Sequence, residues 1–257
     1  MILRARQPFD GAALLAFLAK RAVPGVEEAV DGRYRRSLRL AHGGGTVELE
    51  PAAGGMRAEL DVDPRDRDEA VAQLSALLDL DAPVDEIAAV LGGDPVLQPY
   101  RAGLRVPGTV DGGEIAVRAV LGQQVSLAAA ATHAARLVAA AGEPLRRPRG
   151  TVTHLFPRRE ALARAPDAAM AMPASRRRTL RALAGVPLDE LHALPGIGPW
   201  TQSYVAMRAL RDRDAFLPTD LGVRHALPGV RDPAAPAEHW RPYRAHAVIQ
   251  LWTRGAP

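Results

Sequence analysis

The sequence predicts an α+β protein: a small antiparallel sheet domain with helices, followed by an all-helical region. Three observations carry this. Alternating apolar and polar residues recur at Tyr34–Leu40, Thr46–Glu50 and Arg57–Val62, the period of half-buried strands. From about Val84 onward no stretch alternates convincingly. Apolar residues there recur at helical spacing instead.

Taken in order, Asp10 caps a first helix whose Leu14, Leu15 and Leu18 form one stripe. The opening run resembles a signal peptide, but Asp10 precedes its apolar stretch and Lys20-Arg21 closes it. We read an amphipathic helix in a cytoplasmic protein. Gly43-Gly44-Gly45 reads as the turn between the first two strands. Asp63-Pro64 opens a second helix carrying Val71, Leu74, Leu77 and Leu78. Short helices follow over Asp85–Leu91 and Asp111–Leu121, the latter stopped by Gly122. Ser126 caps an alanine-rich helix over Leu127–Ala141. Further helices are expected over Arg159–Arg164, Ser175–Ala184, Leu188–Ala193 and Trp200–Arg211. One more follows Pro218-Thr219-Asp220, and the last runs from Tyr243 to Trp252. Pro99–Pro107 is the expected junction between the sheet domain and the helices.

Composition narrows the chemistry. The 257 residues suffice for one large domain or two small ones with a substantial core. No cysteine is present, which excludes disulfides, thiolate zinc sites, a cysteine nucleophile and cysteine-ligated clusters. The formal charge is +4, and Lys20 is the only lysine. The cations are therefore arginines, which fork onto phosphate and do not deprotonate. A nucleic-acid partner is allowed by this charge, not required by it. The runs Arg146-Arg147-Pro148-Arg149 and Arg176-Arg177-Arg178 read first as solvated faces or helix ends. No apolar run reaches the length of a membrane span.

The most informative stretch is Leu194-Pro195-Gly196-Ile197-Gly198-Pro199-Trp200-Thr201. Helix, Gly-x-Gly, helix is the pattern of a helix-hairpin-helix. Its turn N–H groups and the positive end of the following helix face one point, a phosphate site that needs no side-chain cation. A plain helix–helix turn would carry the same glycines. Trp200 and Tyr204 are four apart and share a helical face. Asp220 lies twenty residues beyond Trp200 in Phe216-Leu217-Pro218-Thr219-Asp220. It reads as a helix cap, a role compatible with catalysis.

These residues together resemble the helix-hairpin-helix DNA glycosylase superfamily, and within it the 3-methyladenine DNA glycosylase II (AlkA-type) family. The similarity extends over nearly the whole chain. Val117–Ser126 resembles that family's DNA-wedge segment. Trp240-Arg241-Pro242-Tyr243-Arg244 and Leu251-Trp252 resemble its final helix. The resemblance implies a TBP-like domain over 1–85 and an all-α glycosylase region over 86–257. Within the latter, 108–218 would carry the hairpin, and 86–107 with 219–257 would form a second helical subdomain. It implies Asp220 as the catalytic carboxylate and Trp200, Tyr204 and Trp252 as base-stacking rings. Gln124, with Gln123, would be the wedge. Gly196, Ile197, Gly198 and Thr201 would form the phosphate-binding hairpin. Backbone carbonyls of His192, Leu194 and Gly196 would hold a monovalent cation, Na⁺ or K⁺; no other cofactor is implied. The expected partner is duplex DNA containing alkylated bases, bound by a monomer with no membrane association in the nucleoid.

Two departures stand out. Strand-cutting relatives carry lysine two residues after the second hairpin glycine; here that residue is Trp200, and no lysine follows Lys20. Schiff-base chemistry therefore lacks its amine. The stretch from Ala184 to Leu191 is shorter than is usual in the family, as if a helix had been trimmed. Two other classes remain open on the residues: a hairpin module that binds DNA without chemistry, and a glycosylase for oxidised or deaminated bases.

Overall fold

The computed structural model describes residues 1–254. A five-stranded antiparallel sheet is built from β1 (Ile2–Arg4), β2 (Glu27–Val30), β3 (Arg33–Leu40), β4 (Gly43–Ala52) and β5 (Gly55–Asp61), in the order β1-β5-β4-β3-β2. Helix α1 (Gly11–Ala19) and, after a 3₁₀ turn at Pro64–Asp66, helix α2 (Arg67–Leu78) pack on it. Asp10 caps α1 through a 2.9 Å bond from the Ala13 N–H. Leu14, Leu15, Leu18, Leu74, Leu77 and Leu78 close the core with Tyr34, Leu38 and Leu49.

The glycine triplet is not the turn. The β3–β4 reversal uses Ala41-His42, with Leu40 opposite Gly43, and all three glycines lie in β4. For Gly44 and Gly45 the reason is close approach, whereas Gly43, next to the reversal, has φ +143° and open space around it. A Cβ on Gly45 would stand 2.7 Å from the Asp61 carbonyl, and one on Gly44 2.9 Å from Leu145. Leu145 belongs to a second correction, for strands do occur beyond Val84. The hairpin of β6 (Glu143–Arg149) and β7 (Val152–Leu155) lies against β4 and β3. Leu145, Val152 and Leu155 form its small core. The first arginine run thus sits in a strand, where Arg147 pairs with Asp61 at 3.1 Å and Arg149 with Glu59 at 3.0 Å.

The helices are α3 (Val84–Leu91), α4 (Gly112–Leu121), α5 (Leu127–Ala141), α6 (Ala174–Ala182), α7 (Pro199–Arg208), α8 (Leu221–Ala226), α9 (Ala234–Ala237) and α10 (Arg244–Arg254). Asp111 and Ser126 cap α4 and α5. The helices expected over Arg159–Arg164 and Leu188–Ala193 are single 3₁₀ turns, Arg159–Ala163 and Leu191–Ala193. Arg159 braces the shortened stretch by donating to the carbonyls of Leu183 (3.0 Å) and Val186 (2.7 Å). One apolar core gathers Val117, Val120, Leu137, Leu180, Ile197 and Val205; another gathers Leu91, Leu97, Leu217, Trp240, Val248 and Leu251. Among the described residues, no helix is long and apolar enough to cross a membrane.

Sheet and helices are joined by a buried ionic quartet. Arg36 reaches Glu114 at 2.8 Å and Glu27 at 3.4 Å; Arg118 reaches Glu114 at 2.7 Å and Glu27 at 2.9 Å. Burial alone would raise the Glu27 carboxyl, but Arg118, Arg36, the Tyr34 hydroxyl and the Val23 N–H hold it below its ordinary value. This fixes α4, whose C-terminal end carries the loop at 122–126.

Candidate active site

The hairpin turn is exposed at Pro195, Gly196, Gly198 and Pro199, while Ile197 plugs into the core. Gly196 has φ +90°, where side chains are strained. A Cβ there would also meet Thr179 Oγ1 at 2.5 Å. Gly198 has an ordinary φ of −87°, and the space around it is open. Its value is the bare backbone it offers to an approaching group. Pro199 occupies the first position of α7, and no side chain caps that end. Its first-turn N–H groups are left for a ligand.

Gln123 and Gln124 part company. Gln124 is exposed at φ +58° on the tip of the α4–α5 loop. The Gln123 amide instead donates to the Gly196 carbonyl (3.0 Å) and to Thr201 Oγ1 (3.1 Å). It ties the loop to the hairpin and is not a free wedge. Thr201 Oγ1 accepts one of these bonds and is nearly fully buried, so at the surface of the hairpin the residue offers its backbone rather than its hydroxyl. Gly196 and Leu194 carbonyls each accept one hydrogen bond, from Gln123 and from the Ile197 N–H. Each keeps a second lone pair. With His192, this is a set of neutral oxygens compatible with a monovalent cation.

The rings form a continuous cluster. Trp200 and Tyr204 stack with centroids 5.1 Å apart and an interplanar angle of 12°. Tyr204 lies 6.5 Å from Trp252, and Trp252 stacks 6.0 Å from Phe17. Asp220 stands among them. It caps α8 by accepting from the Val223 N–H at 3.0 Å. The same Oδ1 accepts from Trp252 Nε1 at 2.7 Å, and Oδ2 accepts from Trp200 Nε1 at 2.9 Å. Two indoles separated by 52 residues thus hold the two carboxylate oxygens. Gly222 makes room, since a Cβ there would stand 2.8 Å from Trp252 Cδ1. Leu221, at the first position of α8, is 71% exposed beside the carboxylate.

Sequence reasoning missed three residues of this cluster. Phe17, in the last turn of α1, and Arg21, two residues beyond that helix, come from the sheet domain, four apart. That spacing was the available signal. Arg208 Nη1 donates to the Tyr204 hydroxyl at 2.8 Å, while its Nη2 donates to the Gly108 carbonyl. Burial would push the Tyr204 phenol up, but Arg208 and Arg21 beside it hold it below its ordinary value. Of the second arginine run, Arg177 pairs with Asp167 at 3.2 Å, and Arg178 is exposed.

Comparisons with known proteins bear on the family of the chain. A family model described as the AlkA N-terminal domain matches residues 1–111. A probable bifunctional transcriptional activator/DNA repair enzyme AlkA of Mycobacterium tuberculosis is 44% identical over 96% of this chain. The match covers 55% of that relative, so the chain spans about half its length. DNA-3-methyladenine glycosylase 2 of Escherichia coli is 34% identical, with 95% of this chain and 94% of that protein covered. The structure of a 3-methyladenine DNA-glycosylase from Archaeoglobus fulgidus superposes with a TM-score of 0.82 at 20% identity, covering 98% and 97% of the two chains. That likeness is one of fold. With the Escherichia coli protein matched over nearly its full length, the chain belongs to the AlkA-type family of 3-methyladenine DNA glycosylases.

Proposed function

We propose that this chain is a monofunctional DNA glycosylase that removes alkylated purines, such as 3-methyladenine and 7-methylguanine, from duplex DNA. The observation that carries the reading is the Asp220 carboxylate, held by Trp200 and Trp252 at the end of an aromatic cluster, beside a hairpin with bare N–H groups. The hairpin would grip the phosphate backbone, and the target nucleotide would swing out of the stack toward the rings. An alkylated purine is cationic, and its ring stacks on Trp200, Tyr204 and Trp252 with cation–π attraction of about 0.5–2 kcal/mol per contact. As the bond from sugar to base breaks, its electron pair leaves with the base. Asp220 then faces the positive charge developing on the deoxyribose and accepts a proton from the attacking water. A Na⁺ or K⁺ on the carbonyls of His192, Leu194 and Gly196 would add positive charge beside the phosphate site.

The test is incubation with methylated duplex DNA. Free alkylated base should appear, and the strand should break only after alkali treatment. Borohydride should trap no protein–DNA adduct, because trapping needs an amine at the site and the helical region has no lysine; the Lys20 and Met1 amines both lie in the sheet domain. A trapped adduct would refute the monofunctional assignment. Intact bases under tight DNA binding would favour a binding module instead.

Gln124 would fill the gap left by the extruded nucleotide. Gln124→Ala should weaken binding to abasic-site duplex by roughly 0.5–1.5 kcal/mol, about two- to twelvefold in Kd. Its melting temperature should hold, since the exposed side chain makes no hydrogen bond among the described residues. Titration of both proteins with abasic duplex measures this; equal Kd values would remove the wedge role.

A further inference from the structure

Arg21 belongs to the ring cluster yet has no task in the reaction above. Its guanidinium lies 3.6 Å over the Phe17 ring and 5.7 Å from that of Trp252. Its backbone carbonyl accepts from Arg118 Nη2 at 2.5 Å, which anchors the segment to the ionic quartet. Among the described residues the guanidinium itself makes one hydrogen bond, from Nη1 to the Phe17 carbonyl at 3.2 Å. Its remaining N–H groups are not sealed in the core as the orphaned Nε of Arg105 is. Burial lowers its pKa to about 10, with Tyr204 and Asp220 working in the opposite direction. It is therefore a fixed cation at neutral pH, with donors to spare, at the edge of the stacking rings.

Such a group does nothing for the departure of 3-methyladenine. 3-Methyladenine departs neutral and carries no exocyclic oxygen, and a guanidinium beside it is repulsive beforehand. An uncharged purine is the opposite case. When its C1′–N9 bond breaks, the electron pair makes the departing base an anion, and in a 6-oxopurine the charge spreads onto the exocyclic oxygen. A positioned cation that donates to this oxygen is worth more in the transition state than in the ground state. The sugar cation then takes the oxygen of water at C1′, Asp220 receives that water's proton, and the base anion takes a proton from solvent. The same donors would face the N6 amino group of adenine and leave both unpaired, which discriminates against the undamaged base.

We infer that Arg21 is a specificity-determining residue that donates to the exocyclic oxygen of uncharged 6-oxopurines such as hypoxanthine and stabilises their departure as anions. This rests on the glycosylase reading above. The sheet domain thereby reads the base, and not only the scaffold.

The experiment measures single-turnover release of hypoxanthine and of 3-methyladenine from otherwise identical duplexes by the full chain, Arg21→Met and Arg21→Lys. Methionine keeps an apolar stem over Phe17 and removes charge and donors. Arg21→Met should lower the hypoxanthine to 3-methyladenine rate ratio by on the order of 10²-fold, the effect of losing one well-placed donor. Release of 3-methyladenine should rise as the repulsion goes. Arg21→Lys, which keeps the charge but not the fork, should recover part of the ratio. The ratio does not depend on how much of a variant is folded. A ratio in Arg21→Met within about threefold of the wild type, against the hundredfold scale of a lost donor, overturns the inference. So does a wild type that releases 3-methyladenine but no hypoxanthine. A wild type that releases neither overturns the glycosylase reading, and this inference with it.

Discussion

Replacing Asp220 by asparagine is expected to slow release of 3-methyladenine or 7-methylguanine by on the order of 10²–10³-fold, the scale of losing one well-placed electrostatic group. The helix cap should survive, because asparagine is also a good N-cap and its Oδ1 can accept from the Val223 N–H and Trp252 Nε1 as the carboxylate does. One contact changes sign. The amide nitrogen would take the place of Oδ2 and face the Trp200 Nε1 donor. An unpaired donor in this half-buried position costs about 1 kcal/mol, at the low end of the usual penalty. Asp220→Asn with Trp200→Phe removes that clash. If charge is what matters, the double variant recovers the melting temperature and stays slow relative to Trp200→Phe alone, which keeps a ring for stacking. Near-equal release rates for wild type and Asp220→Asn at equal stability would refute the catalytic assignment. Binding to abasic duplex should hold or rise, since a carboxylate near phosphates repels them.

What the sequence made legible was whatever rests on local rules. Asp10, Ser126 and Asp220 each cap the helix they precede. Trp200 and Tyr204 stack because a spacing of four residues puts them on one face. What was not legible depends on partners far away in the chain. Gly43–Gly45 looked like a turn because glycine serves both turns and close approach. At Gly44 and Gly45 only the arrival of Leu145 and the Asp61 backbone decides between them. The Glu143–Arg149 strand has no alternation, since its arginines pair with carboxylates on the neighbouring sheet.

The site divides the same way. A motif brings Trp200, Tyr204, Asp220 and Trp252 to notice, but not the two indole N–H bonds that join them. Gln123 and Gln124 are adjacent and identical in type. Their different fates follow from one left-handed residue, φ +58° at Gln124, which turns its side chain away from the hairpin that Gln123 holds. Arg21 was hidden for a further reason. It reaches the rings from the sheet domain, a contact no local spacing in the helical region predicts.

The second large effect concerns stability. Arg118→Met should destabilise the fold by about 3–5 kcal/mol, the usual result of breaking a buried ion pair from one side. In a chain of this size that is a fall in Tm of roughly 6–20 °C. The formal charges of Arg36, Arg118, Glu27 and Glu114 cancel, and all but Arg118 are almost fully buried. Removing Arg118 leaves one negative charge without a partner, where desolvation is costly. Arg118→Met with Glu114→Gln restores neutrality and should recover part of the loss, giving a coupling energy in a double-mutant cycle. The pH dependence has a definite sign. The Glu27 carboxyl is depressed in the folded wild type, so its contribution is present above the unfolded carboxylate range and fades as pH falls through the folded pKa. Without Arg118 the depression shrinks, and protonation relieves the stranded charge, so the gap between variant and wild type should narrow on acidification. Thermal melts of the three proteins from neutral pH toward pH 4 measure this. A constant gap, or a single variant melting within about 2 °C of the wild type, below 1 kcal/mol, would mean that water or rearrangement already compensates the quartet. The variant should also bind abasic duplex less well, because the quartet fixes the helix that presents Gln123 and Gln124 to the hairpin.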